Sequence, residues 1–130
     1  MRAAIDRDGY GLWAVEVKTG GQFAGIVGIN EITDDLPFTP KREVGWRLAF
    51  DTWGYGYATE GARAAVDFAF GNLGWDEVVA MTAAINERSQ RVMQRLGMLR
   101  NPADDFDHPR VEPGSPLRPH VLYRVKRPAV

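Results

Sequence analysis

The chain contains no cysteine among its 130 residues, which excludes a disulfide framework, a thiolate metal site and a cysteine nucleophile. Histidine is nearly as scarce. His108 and His120 are the two present and lie apart in sequence, so no imidazole metal centre is expected. Neither sign of charge dominates: 16 Lys+Arg stand against 17 Asp+Glu, a net charge of -1. No overall field therefore draws the chain to nucleic acid or to anionic lipid. Long apolar runs are also missing, and the opening Met1-Arg2-Ala3-Ala4-Ile5-Asp6 lacks the apolar core of a secretory leader. A soluble, cytoplasmic chain is expected, with neither nucleic acid nor membrane as partner. Hydrophobic residues make up 45% of it, and at this length folding removes roughly two-thirds of the unfolded surface from water. One domain over residues 1–130 follows.

The pattern along the chain reads as mixed α/β. Arg2 to Arg7 resembles the tail of a helix closed by Asp8-Gly9. Leu12–Val17 and Gln22–Ile29 read as a hairpin turned at Thr19-Gly20-Gly21, with Gly25 and Gly28 marking close packing or a bulge. A loop from Thr33 to Arg42 follows. Glu43 to Phe50 then alternates, with Val44, Trp46, Leu48 and Phe50 on one face and Glu43, Gly45 and Arg47 on the other, as in a central strand. Ala58, Ala62, Ala65, Val66, Ala69, Phe70 and Leu73 recur at helical spacing, and that face is small enough to lie close to a sheet. Glu77–Ala83 reads as a buried strand. Asn86 caps a second helix whose inward stripe is Val92, Met93 and Leu96, and Gly97 closes it. Asn101–Pro119, with five of the eight prolines, reads as an irregular loop before a last strand over His120–Val125.

Trp53-Gly54-Tyr55-Gly56-Tyr57-Ala58-Thr59-Glu60 joins a strand to a helix N-terminus, a place where anions bind. First-turn amides have no intrahelical partner, the helix dipole adds positive charge, and Gly54 and Gly56 admit a phosphate without an intervening Cβ. Charge-assisted bonds of this kind contribute about 1.5–3 kcal/mol each. A Gly-x-Gly turn is also a common tight connection, and spacing alone leaves both readings open. Neither standard nucleotide motif fits: no Gly-Lys-Ser/Thr follows, and Thr59 stands where the dinucleotide fingerprint has its third glycine.

Three segments in order carry a family resemblance: Glu43-Val44-Gly45-Trp46-Arg47-Leu48, the Trp53–Glu60 turn, and Asn86-Glu87-Arg88-Ser89-Gln90-Arg91-Val92-Met93-Gln94-Arg95-Leu96-Gly97-Met98. Together they resemble the GNAT superfamily of N-acetyltransferases, in its ribosomal-protein-acetylating RimJ/RimL-like branch. The likeness runs from about Tyr10 to Arg127. Asp105-Phe106-Asp107-His108-Pro109 and Arg118-Pro119-His120-Val121-Leu122-Tyr123-Arg124 are similar to an ending that recurs in one subgroup. The resemblance implies the GNAT fold: a central mixed, mostly antiparallel sheet flanked by helices. The family's domain opens with a strand and a helical segment, and this chain begins near the end of that segment. The expectation is therefore an N-terminally truncated domain or, equally, a mis-assigned start; in a truncated domain the Leu12–Val17 strand has lost a neighbour, and a second copy would cover that edge in a homodimer.

The activity implied is acetyl transfer from acetyl-CoA to a primary amine, of a protein N-terminus or a small molecule, by direct attack and without a metal. The family's glycine turn holds the pyrophosphate through backbone amides, which maps onto Gly54, Tyr55, Gly56, Tyr57, Ala58 and Thr59. In that fold the strand before the turn splays from the next one and pantetheine inserts between them, which places Trp46, Arg47 and Leu48 beside the acetyl group and Asn86 near the pantetheine amides. Asn86 also serves as a plain N-cap. Many members use a Tyr four positions before the glycine that closes the second motif helix; that position is Met93 here. Ser89 matches the Ser of an Asn-x-x-Ser pattern and inherits the role of donor to the departing thiolate, beside the ordinary reading of a first-turn Ser satisfying the backbone. Glu43 is the best-matched base. A Lys amine near about 10.4 needs one, whereas an α-amino group near about 8 needs far less help.

Other features have plainer readings. Arg88, Arg91 and Arg95 share a helix face that could meet a 3′-phosphate or simply solvent, and Asp104, Asp105 and Asp107 could attract a basic substrate or merely keep a loop soluble. His120 reads as a structural histidine, and Trp13, Trp46, Trp53 and Trp75 as core. The competing class is a non-catalytic acyl-CoA-binding or interaction module that kept the pyrophosphate turn and lost the acceptor site.

Overall fold

In a computed structural model, the described residues are 12–16, 23–32, 35–39, 41–48 and 56–128. The helix expected at Arg2–Arg7, the Thr19–Gly21 turn, Phe50, Trp53, Gly54 and Tyr55 lie outside them. The elements, in chain order, are β1 (Leu12–Glu16), β2 (Phe23–Glu31), β3 (Arg42–Leu48), α1 (Tyr57–Gly71), β4 (Glu77–Ala83), α2 (Glu87–Arg95), β5 (Leu99–Arg100), β6 (Phe106–Asp107) and β7 (Pro119–Lys126). Their sheet order is β1-β2-β3-β4-β7, with β5 and β6 both pairing along the outer side of β7. Among the described residues only the β3–β4 pair is parallel, as its α1 crossover requires, and the other pairings are antiparallel. The expected hairpin is present. Its register slips between Val15 and Glu16, opposite Gly25, whose φ of 153° is a bulge conformation that glycine adopts freely.

Period-2 alternation divides the sheet into two faces. One carries Val27, Ile29, Val44, Val78, Ala80, Val121 and Tyr123 against α1 and α2. Helix α1 meets this face through Ala58, Ala62, Ala65, Val66 and Ala69, and so short a set of side chains lets its axis approach closely. Helix α2 adds Val92 and Met93, and Leu96 caps it before Gly97 at φ 79°. Full burial of one Val- or Leu-sized side chain is worth about 1.5–3 kcal/mol, so this face supplies most of the drive to fold.

The second face has a smaller core that sequence periodicity did not disclose. Leu36 and Phe38, in the segment read simply as a loop, are buried with Ile32, Val79 and Leu122, and Met81 and Phe106 pack against them. Arg124 fastens that loop to the sheet, donating to Thr39 O at 2.6 Å and to Glu77 Oε1 at 2.9 Å, with Asp104 Oδ2 at 3.4 Å. Asn101–Pro119 is likewise more ordered than the expected irregular loop. A 3-10 turn at Pro102–Asp104 is capped by the Asn101 side chain, and β6 pairs Phe106 with His120 and Asp107 with Pro119. Two-residue ladders and a single capped turn are too short to show a period in sequence. The three aspartates there are paired: Asp104 with Arg124, Asp105 with Arg100 at 2.6 Å, and Asp107 with Arg118 at 3.9 Å.

Candidate functional site

Parallel strands β3 and β4 are joined by a single register pair, Glu43 with Val79, near the start of each. Beyond it toward their C-terminal ends no further pair forms, although Trp46 and Arg47 still bond to β2 and Met81–Ala83 still bond to β7. The sheet is thereby split between two strands that each remain hydrogen-bonded on the far side. A cleft of about 420 Å³ occupies the split. Its lining comes from both faces: Val44, Trp46, Ala58, Val92 and Met93 from the helix side, and Glu43, Gly45, Arg47 and Met81 from the other. The cleft therefore passes through the sheet. Gly45 pairs with Gly28 on β2, and a Cβ placed on Gly45 would meet nothing within 4 Å, so the second face is open beside the cleft.

The wall on the α2 side is polar. Asn86 is the N-cap of α2, its Oδ1 accepting from Ser89 N at 3.2 Å. Its Nδ2 donates to Thr82 Oγ1 at 3.1 Å and to Ser89 Oγ at 3.2 Å. Ser89 Oγ is thus an acceptor within this network, which leaves its own O–H free to donate elsewhere. Both readings of Asn86 and Ser89 concern real positions: they cap the helix, and they line the cleft. Met93, buried and in the same lining, offers no proton donor at the expected Tyr position. Tyr123 does not substitute for it, because its hydroxyl donates to Gln90 Oε1 at 3.2 Å and accepts from Gln94 Nε2 at 3.3 Å, under the other side of α2.

At the start of α1 the first intrahelical bond runs from Glu60 N to Gly56 O, and among the described residues no side chain caps this end. Gly56 has φ 80°, and a Cβ there would meet nothing within 4 Å. Thr59 Oγ1 is buried without a hydrogen-bond partner among the described residues. Two cavities meet at this end. Ala58 lines the through-sheet cleft, while Gly56 and Thr59 line a more open groove of about 560 Å³ with Glu60, Arg63, Ala64, Asp67 and Arg95. Arg63 donates to Arg95 O at 2.7 Å and ties α1 to the end of α2.

Of the residues singled out from sequence, Glu43, Trp46, Arg47, Ala58, Asn86 and Ser89 thus line one cleft, and Gly56 and Thr59 line the adjoining groove. Tyr57 opens α1 between them, and Leu48 closes β3. Gly54 and Tyr55 lie outside the described residues. Trp75 is core, as expected, whereas Trp46 divides its surface between core and cleft. Arg91 pairs with Glu87 at 3.6 Å, while Arg88 lines the cleft. Sequence reasoning missed Thr82, Met81 and Gly45. Thr82 was recoverable from its place four residues before the Asn86 cap, Gly45 only from the pairing register. Among the described residues no group of His, Cys, Asp and Glu could hold a metal ion, and no helix is long and apolar enough to cross a membrane.

The family model for the acetyltransferase (GNAT) domain matches residues 1–99. The uncharacterised protein YkkB of Bacillus subtilis (strain 168) is 36% identical over 92 residues, covering 69% of this chain and 52% of that protein. The FsC-acetyl coenzyme A-N(2)-transacetylase of Aspergillus fumigatus is 35% identical over 102 residues, covering 75% and 43%. The chain therefore spans about half the length of these relatives. Among solved structures, an acetyltransferase from Agrobacterium tumefaciens str. C58 shares the fold with a TM-score of 0.73 and 28% identity, covering 96% of this chain and 66% of that one.

Proposed function

Since the chain belongs to the acetyltransferase (GNAT) family, we propose that it transfers the acetyl group of acetyl-CoA to a primary amine by direct attack, as a RimJ/RimL-like member. The observation that carries the reading is the cleft that passes through the sheet. A donor entering from the helix side and an acceptor entering from the opposite face would meet in it without displacing either core. The fungal relative, by name an acetyl coenzyme A N(2)-transacetylase, supports the same donor and an amine acceptor.

The residues present suit acetyl-CoA. An uncapped helix start, a left-handed Gly56 with empty space over its Cα and an orphaned Thr59 hydroxyl together offer donors to a pyrophosphate at the 54–59 turn. From there the cleft leads inward past Ala58 to Trp46, Arg47 and Asn86, which would hold the pantetheine arm, and the outer groove leads the other way toward Arg63 and Arg95.

Acetyl-CoA supplies an acetyl group already activated as a thioester. The amine nitrogen forms a bond to the acyl carbon, the carbon–sulfur bond breaks, the nitrogen releases a proton and the sulfur accepts one. Glu43, at the closed end of the cleft on the acceptor face, takes the proton from the amine. Ser89, whose O–H is not used by Asn86, donates to the sulfur as it becomes a thiolate. Release of free thiol from acetyl-CoA in the presence of a panel of amines, peptides and aminoglycosides, with the acetylated product identified by mass, tests the assignment. Transfer to at least one amine supports it. Tight acetyl-CoA binding with no transfer to any amine would instead make the domain an acyl-CoA-binding module.

A further inference from the structure

We propose that His108 and His120 form an acceptor-side subsite that recognises an amide group of the acceptor, one ring accepting a hydrogen bond from it and the other donating one to it. The proposal rests on the acetyl-transfer reading and adds to it what kind of amine is preferred.

The two rings have opposite tautomers, and both are fixed by the backbone. His120 Nδ1 lies 3.0 Å from Arg118 O, and a carbonyl can only accept, so Nδ1 carries the proton and Nε2 presents a lone pair. His108 Nδ1 accepts from Arg110 N at 3.2 Å, so in the neutral ring the proton sits on Nε2. The ring centroids are 5.0 Å apart, inclined at 49°, and no hydrogen bond joins them. A ring with a free acceptor and a ring with a free donor are thereby held side by side against Phe106, whose ring centroid lies 6.2 Å from that of His108 and 5.6 Å from that of His120. A secondary amide offers the matching pair, an N–H and a C=O, whereas an alkyl chain offers neither.

The pair stands on the face from which an acceptor would enter. His120 is opposite Ala83 on β4 and Phe106 on β6, and directly paired residues share a face. Ala83 follows Thr82 in the cleft wall, and Met81, also in the lining, pairs with Leu122 two residues along from His120. Taking strands about 4.8 Å apart and a rise of about 3.4 Å per residue, His120 sits roughly 8 Å from Met81 along the sheet. That is too far to reach the thioester and suits contact with the body of an acceptor whose amine lies in the cleft. Both histidines are partly exposed, so their free nitrogens remain available to a ligand. Burial also holds His120 below the usual imidazole range; the Arg118 carbonyl opposes this and His108 adds to it, so the ring stays neutral and Nε2 unprotonated near pH 7.

Steady-state transfer to trialanine amide and to hexylamine tests the subsite in the wild type and in His120→Phe and His108→Phe, with thermal melts to verify folding. The wild type should prefer the peptide amide. Each variant should raise KM for it about tenfold, the loss of one hydrogen bond of about 1.4 kcal/mol, with kcat and all hexylamine constants unchanged. Equal losses on both acceptors, or no change on the peptide amide in whichever variant folds, would overturn the subsite. So would a wild type that acetylates amines of the wider panel but not trialanine amide. A wild type that acetylates no amine at all would overturn the acetyltransferase reading itself, and the subsite with it.

Discussion

Ser89→Ala separates a catalytic hydroxyl from a helix cap more cleanly than any other substitution in the cleft. The cap of α2 is made by Asn86 Oδ1 and the backbone N–H of Ser89, and the N–H survives the change. What disappears is the exposed 3.2 Å bond from Asn86 Nδ2 to Ser89 Oγ, and Asn86 Nδ2 keeps its bond to Thr82 Oγ1. That loss costs at most about 1 kcal/mol, a melting shift of about 4 °C or less for a domain of this size. If the free O–H stabilises the departing sulfur, removing it lowers kcat by about tenfold to a thousandfold, or about 1.4–4 kcal/mol of transition-state stabilisation, with little effect on acetyl-CoA affinity. The assay is thiol release under saturating acetyl-CoA beside a calorimetric titration of acetyl-CoA. Asn86→Ala is the counterpart: it removes the cap itself and should lower stability by about 0.5–2 kcal/mol. Turnover within about twofold of wild type in Ser89→Ala, with only the melting point moved, would refute the donor role and leave Ser89 as part of the cap.

Three more predictions follow from the same geometry. A Cβ on Gly56 meets nothing within 4 Å, so the left-handed backbone sets the main folding penalty of Gly56→Val, about 1–2 kcal/mol, yet the change should abolish most acetyl-CoA binding; Gly74→Val, at φ 69° with equally open space at its Cβ, should lose similar stability and bind normally by calorimetry. Arg124→Met strands the mostly buried Glu77 carboxylate and releases Thr39, so chemical denaturation should show a loss of about 2–4 kcal/mol, partly recovered by Arg124→Lys. Burial holds the folded His120 imidazole below its ordinary value of about 6.5, so the unfolded chain binds the extra proton first. Stability is therefore full above pH 6.5 and falls as pH drops from there through the lower folded value; urea titrations should show that slope in the wild type and a shallower one in His120→Phe.

How much of this was legible in the sequence depended on the length of each signal. The alanine stripe of α1 and the Asn86 cap of α2 span several turns or follow side-chain chemistry with few alternatives, and both lie where the pattern put them. Strand β4 matched to the residue, because a run of apolar residues bounded by Asp76 and the Asn86 turn leaves little freedom. The second core was not visible: Leu36 and Phe38 are two apolar residues among prolines and aspartates, and only the fold brings Val79, Leu122 and Phe106 over them. Strands β5 and β6 are two residues long and owe their existence to β7. For the candidate site, Glu43, Trp46, Asn86 and Ser89 were legible as types at a spacing, but that they enclose one space depends on where β3 and β4 part. The acidic cluster illustrates the converse. Asp104 and Asp105 read as available charge until Arg124 and Arg100, distant or unremarkable in sequence, neutralise them.

The central claim is that the gap between β3 and β4 holds the thioester. Acetyl-CoA labelled with carbon-13 in its acetyl methyl group reports on this directly, through nuclear Overhauser contacts to protein protons in the saturated complex. The account predicts contacts from that methyl to Met93 and Met81, which line the gap from opposite faces of the sheet, and to the Gly45 α-protons. A saturated complex in which the methyl touches none of these three residues would contradict it.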